Sequence, residues 1–248
     1  MSKLNPENHI EIYDEFDKFE AVKVIQNLGF FVMHTLYSSK VEFTNDSKEQ
    51  INHHLRNRGS VILAPNHQSL ADTPTIASLV YEDTFSPLKG TTIIPAKAEM
   101  FDWPLLGRFF PHMLAHPAFR AKNFSKDAEG ILLRKQVTEE LISFNINHLN
   151  KGGHSAIFAE STRNKKSPRD VQELKSGIGR IALGVDNPNN LLIVPLGFAY
   201  KLNKLKLMPS VVVGDPITPV SLNQEQLLHK TRSNIQDATI KAFRNINK

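Results

Sequence analysis

The chain contains no cysteine. That excludes disulfides, thiolate nucleophiles and cysteine-ligated zinc, and it fits a reducing compartment. No apolar run is long enough to span a bilayer, and no signal peptide opens the sequence. The nucleophile elbow Gly-x-Ser-x-Gly is absent, which weighs against a hydrolase of acyl esters or thioesters. RNA- and DNA-binding signatures are missing as well, so nucleic acid is not an expected partner. His53, His54, His112, His116 and His154 stand at no metal-ligand spacing with carboxylates, and no metal is expected. No internal repeat is present.

What remains is a chain of 248 residues, 40% hydrophobic and 22% charged. A core can form, and the length suits one α/β domain with a small appendage. The formal net charge of +5 favours anionic partners, either phosphorylated substrates or an acidic membrane surface.

Residues 1–48 differ from the rest and read as an N-terminal helical element; residues 49–248 read as the α/β domain. Between Ile10 and Leu36, apolar positions recur at spacings of three and four, as an amphipathic helix requires, and Gly29 is the expected break. This stretch reads either as a helix packed on the core or as one lying in a membrane interface. Phe16, Phe19, Phe30 and Phe31, with Phe101, Trp103, Phe109 and Phe110 from an unusually apolar loop, are the candidate lipid contacts.

Beyond it, short buried-strand runs alternate with helical periodicity. Strands are expected at 41–43, 61–64, 91–96, 112–119, 155–159, 191–196 and 211–214. Helices are expected at 47–57, from about 73, at 128–149, 176–185 and 221–247. KLNKLKL at 201–207 reads as an amphipathic edge strand. Strands alternating with helices predict an α/β, three-layer fold with a mostly parallel central sheet flanked by helices. Such sheets carry their sites at the carboxyl ends of the strands.

The organising stretch is VILAPNHQSLADTPTIASL, 61–79. His67 follows a buried strand, and Asp72 stands at the start of a helix. Five positions on a straight helix turn through roughly 500°, so the pair meets only if His67 sits in the loop and Asp72 begins the helix, where Asp is favoured as an N-cap. His67 is then a candidate general base, oriented by Asp72. A surface loop followed by a helix cap is the plainer reading of the same residues.

Four stretches in order resemble the glycerolipid acyltransferase family, the 1-acylglycerol-3-phosphate acyltransferases and their relatives. Asn66, His67, Ser69 and Asp72 match its Asn-His-x-Ser-x-x-Asp block. Lys97, Glu99, Pro104, Gly107 and Arg120 match the second block. Phe158, Glu160, Thr162 and Arg163 match Phe-Pro-Glu-Gly-Thr-Arg, with Ala159 and Ser161 replacing the usual Pro and Gly. Val194-Pro195 match the fourth, while Lys175 with Gly177 and Gly214-Asp215-Pro216-Ile217 fit later family features.

The resemblance implies direct transfer of a fatty acyl chain from acyl-CoA or acyl-carrier protein to the hydroxyl of 1-acylglycerol 3-phosphate, in phosphatidic acid synthesis. His67 and Asp72 are the implied catalytic pair. Asn66, Ser69, Lys97, Arg120, Glu160, Ser161, Thr162 and Arg163 are the implied substrate-binding positions. Arg163, Arg120 and Lys97 suit a phosphomonoester, whereas Glu160 cannot hold phosphate and is expected to orient Arg163 or accept from a hydroxyl. No cofactor is implied beyond the acyl donor. The alternative acceptors are glycerol 3-phosphate or another lysolipid; the alternative of another class is a non-catalytic lipid-binding protein of the same fold. The expected location is the cytoplasm, peripheral on an anionic membrane surface.

Overall fold

Short β-branched runs alternate with helical segments along most of the chain, and the architecture follows from that alternation. The structure, a computed structural model, describes residues 4–104, 106–203 and 206–247. Helices α1 (His9–Asp17) and α2 (Lys23–Tyr37) lead into β1 (Lys40–Phe43), α3 (Ser47–Arg56), β2 (Ser60–Pro65) and α4 (Asp72–Leu79). Then come β3 (Thr92–Lys97), α5 (Leu106–Phe109), β4 (Ala115–Ala118), α6 (Ala128–Asn150) and β5 (His154–Ala156). The chain closes through α7 (Ser176–Gly184), β6 (Leu191–Asn203), β7 (Lys206–Val213) and α8 (Gln224–Asn245).

The strands form one sheet in the order β1-β7-β6-β2-β5-β3-β4. Every neighbouring pair is parallel except β6 and β7. The fold is therefore α/β, with a mostly parallel central sheet flanked by helices. All six residues of β2 are buried, as a central parallel strand covered on both faces requires. Its side chains alternate. Val61 and Leu63 join Ile51 of α3 and Ile76 and Leu79 of α4 on one face. Ile62 and Ala64 join Ile142 of α6, Ile178 and Ile181 of α7, and Leu227 and Ile235 of α8 on the other. β4 tolerates Pro117 because it is an edge strand.

Four expectations are corrected. The N-terminal helices part at 18–22, not at Gly29. Gly29 lies inside α2 where a Cβ would come within 2.4 Å of the Met113 sulfur, so its role is close approach. β5 stops at Ala156 rather than 159, because the chain peels off the sheet to build a loop. β6 runs to Asn203, well beyond 196, and pairs with β7 from Lys206. The KLNKLKL run therefore lies at the paired ends of two strands, with 204–205 outside the described residues, and is not a free edge.

The aromatics near the N-terminus are mostly committed to packing. Phe16 meets Phe101 edge-on at 5.6 Å, Phe101 lies 5.6 Å from Phe110, and Phe19 lies 5.1 Å from the His112 ring. Phe30 is buried, and Tyr13 donates its hydroxyl to the Pro117 carbonyl at 3.0 Å. Phe31 and Trp103 remain exposed, together with Val24, Leu28 and Leu36 on α2. Among the described residues, no helix is long and apolar enough to cross a membrane.

Candidate active site

The loop after β2 is fixed before any catalytic group is considered. Asn66 is buried at the strand end, and its side-chain amide takes the place of a ladder partner. Its Oδ1 accepts the Phe198 N–H at 2.7 Å, and its Nδ2 donates to the Phe198 carbonyl at 3.2 Å. Gln68 donates its side-chain amide to that same carbonyl. His67 is thus held between two residues clamped to β6.

Asp72 is the first residue of α4, not its N-cap, and its side chain points back into the loop. One oxygen, Oδ2, sits 2.8 Å from His67 Nδ1 and accepts the backbone N–H groups of Gln68 and Ser69, each at 2.8 Å. The other, Oδ1, accepts the Tyr200 hydroxyl at 2.7 Å. The carboxylate is fully buried, which is tolerable because four donors converge on it. Burial and the negative charge of Asp72 hold the Tyr200 hydroxyl well above the ordinary tyrosine range, so it stays a donor.

With Nδ1 bound to a carboxylate, the neutral His67 ring carries its proton there and leaves Nε2 as a base. Among the described residues Nε2 has no hydrogen-bond partner, and 18% of the side chain reaches solvent. The ring rests on Phe158, with centroids 4.2 Å apart.

Glu160 braces the loop from the other side, which differs from its expected role at Arg163. Its Oε1 accepts the His67 backbone N–H at 2.7 Å, and its Oε2 accepts the backbone and side-chain N–H groups of Gln172 at 2.9 and 3.2 Å. Ser161, exposed beside it, adopts φ 58°, a left-handed conformation that suits glycine and explains why the family places Gly there. Thr162 is exposed, and its carbonyl accepts from Gln172. Ser69 accepts the Ala71 N–H at 3.1 Å.

A cationic group gathers from three more chain segments that follow parallel strands. Lys97 ends β3, Arg120 follows β4, and Arg163 follows β5. Burial, then the nearby charges of Arg120 and Arg163, hold the Lys97 ammonium below the usual lysine range. Arg120 is already engaged, since its guanidinium meets Glu99 at 2.7 Å. Lys122 reaches the same oxygen at 2.9 Å. Burial of Glu99 would raise its carboxyl, but these hydrogen bonds prevail and bring it down to about 2. Among the described residues Arg163 has no ion-pair or hydrogen-bond partner, and it is half-buried.

Behind Phe158 lies a cavity of about 190 Å³. Its wall is mainly apolar, with Leu141, Ile142, Ile157, Ile178 and Ile181 prominent, and Ser161 and Lys175 also line it.

The structure brings together every residue proposed from sequence, though in unequal ways. His67, Asp72, Ser69, Asn66 and Glu160 form one bonded unit; Lys97, Arg120 and Arg163 form a charged group; Ser161 and Thr162 lie on the loop that bears Glu160. Sequence reasoning missed Tyr200, Gln172 and Gln68. Tyr200 left one faint signal, a polar aromatic in an otherwise apolar strand shortly after Val194-Pro195.

Comparison with curated proteins returned no match. A family model described as "Acyltransferase" matches residues 46–199, more than half of the chain. That span includes His67, Asp72, the cationic group and Glu160, and the chain therefore belongs to the glycerolipid acyltransferase family.

Proposed function

We propose that this acyltransferase moves a fatty acyl chain from acyl-CoA or acyl-carrier protein to the free hydroxyl of 1-acylglycerol 3-phosphate, giving phosphatidic acid. One observation carries the mechanism: His67 Nδ1 lies 2.8 Å from Asp72, and among the described residues Nε2 has no hydrogen-bond partner. His67 Nε2 takes the proton of the acceptor hydroxyl as its oxygen attacks the thioester carbonyl. The attack makes the new C–O bond and a tetrahedral oxyanion; its collapse breaks the C–S bond, and the imidazolium gives its proton to the leaving thiolate, which restores neutral His67. Asp72 keeps the tautomer and stabilises the imidazolium without itself becoming protonated. No acyl-enzyme is required.

The choice of a phosphomonoester acceptor is supported by Arg163 and Lys97. Arg163, with no hydrogen-bond or ion-pair partner among the described residues, offers a fork suited to two phosphate oxygens, and Lys97 carries an ammonium whose depressed pKa a dianion would restore. Arg120 shares its charge with Glu99 and contributes field rather than the first contact. The apolar cavity behind Phe158 is sized and lined for part of an acyl chain. Contact with the bilayer is assigned to the exposed face of α2, where Val24, Leu28, Phe31 and Leu36 are each exposed over more than half their surface. Basic residues of the chain add attraction to anionic lipid on the cytoplasmic side.

The test is an acceptor panel with labelled acyl-CoA in detergent micelles. Lysophosphatidic acid should turn over fastest. Glycerol 3-phosphate carries the same phosphomonoester and is the runner-up. Preference for lysophosphatidylcholine would contradict the phosphate assignment, and binding of lipids without turnover would favour a non-catalytic lipid-binding protein.

A further inference from the structure

Tyr200 is not part of any block that carries the family resemblance, yet it completes the buried site. It stands two residues beyond Phe198 on β6, so both side chains fall on the same face of the sheet. The Phe198 backbone holds Asn66 and Gln68, the neighbours of His67, and the Tyr200 hydroxyl holds Asp72 Oδ1 at 2.7 Å. One strand thus anchors the base and its carboxylate together. Thr75 Oγ1 lies 3.3 Å from the Tyr200 hydroxyl, but its own proton goes to the Ala71 carbonyl at 2.8 Å. Thr75 can therefore only accept from Tyr200, but the Asp72 carboxylate is nearer, at 2.7 Å, and carries the negative charge, so the Tyr200 proton goes to Asp72.

We propose that Tyr200 is a positioning residue that sets how strongly Asp72 draws the proton of His67, and so tunes the pH range over which His67 is a base. The inference rests on the reading of His67 as the base.

A hydrogen bond donated to a carboxylate disperses its charge. Without the phenolic proton, Asp72 holds an imidazolium more firmly, and His67 stays protonated to higher pH. Among the described residues, the groups facing this pair are few. Glu160 sits at the His67 backbone N–H, Asp72 at the ring, and Phe158 contributes an uncharged face. Tyr200 itself faces Asp72 and Thr75, with Tyr37 of α2 as a further weak influence.

The test uses the full chain. In Tyr200→Phe, the acid limb of kcat/KM should move up by about half to one pH unit. In a chain carrying 3,5-difluorotyrosine at position 200, a stronger donor of nearly the same shape, the limb should move down. Opposite shifts are what tuning requires. A fall in rate with both limbs unmoved, or shifts of the same sign, would overturn the proposal and leave Tyr200 with a packing role only. Should Tyr200→Phe fail to fold by circular dichroism, the fluorinated chain decides alone. His67→Ala separates this claim from the one beneath it. If that variant retains wild-type turnover, the base assignment fails, and NMR titration of the His67 ring in wild type and Tyr200→Phe still decides whether Tyr200 acts through Asp72. Identical titration midpoints would refute it.

Discussion

Replacing Arg163 by lysine keeps the charge and removes the fork. If the guanidinium makes two charge-assisted bonds to the acceptor phosphate, losing one should raise acceptor KM about tenfold or more, with little change in the donor KM. Unaltered acceptor kinetics in Arg163→Lys would refute the contact. Ser161 offers a stability test at the same scale. Its left-handed backbone costs more than the extra chain entropy glycine would introduce, so Ser161→Gly should gain about 1 kcal/mol in urea unfolding. Residues of this kind differ in how far sequence reveals them. His67 and Asp72 were legible because both the strand-loop-helix pattern and the pairing are local. Tyr200 was not, because its partner lies 128 residues away and a tyrosine in a strand is ordinarily a core residue. Glu160 is visible as a motif position, but the amides that its oxygens accept are not. Only the folded loop shows that its oxygens turn toward the His67 and Gln172 amides.

At the scale of elements, two histidines buried in the sheet, His154 of β5 and His116 of β4, are held neutral. The His154 Nδ1, at the start of β5, accepts the Val61 N–H of β2 at 3.1 Å, which only an unprotonated nitrogen can do. Burial, then the charges of His148 and His54, push His154 down to about 4 from 6.5. Burial lowers His116 on β4 to about 3. Both groups are depressed bases, so the stability they support is present above pH 6.5 and is lost as pH falls toward 4 and then 3. For His154 the loss by pH 4 is on the order of 3 kcal/mol. His154→Asn keeps an acceptor for Val61 without titrating, and its stability should fall less steeply between pH 7 and 4. Equal slopes in denaturant titrations would contradict this. The elements themselves were largely readable, because runs such as Val61–Ala64 and Ile193-Val194 are unmistakable. The lengths of β5 and β6 were not, since one strand ends where its chain must turn into the site and the other is extended by a hairpin partner.

For the whole molecule, the question is how an enzyme reaches a lipid. The exposed side of α2 is apolar, while Gly29 and Phe30 on its other side pack inward. The double variant Leu28→Gln, Phe31→Gln should therefore fold normally, bind anionic vesicles several-fold more weakly, and keep its activity on dispersed short-chain substrate. Wild-type vesicle flotation by that variant would remove α2 from the interface. Sequence periodicity recognised an amphipathic element here but could not tell which face was spent on the core. That depended on Met113 and Phe109, which lie far along the chain.

The central claim is that His67, oriented by Asp72, is the base for acyl transfer. It is tested most directly by kcat/KM for labelled acyl-CoA and lysophosphatidic acid, measured on wild type, His67→Ala and Asp72→Asn with matched circular dichroism spectra. The expected result is no detectable transfer by His67→Ala and a loss of about 10²–10⁴-fold for Asp72→Asn. Turnover near wild type in either folded variant would contradict the account.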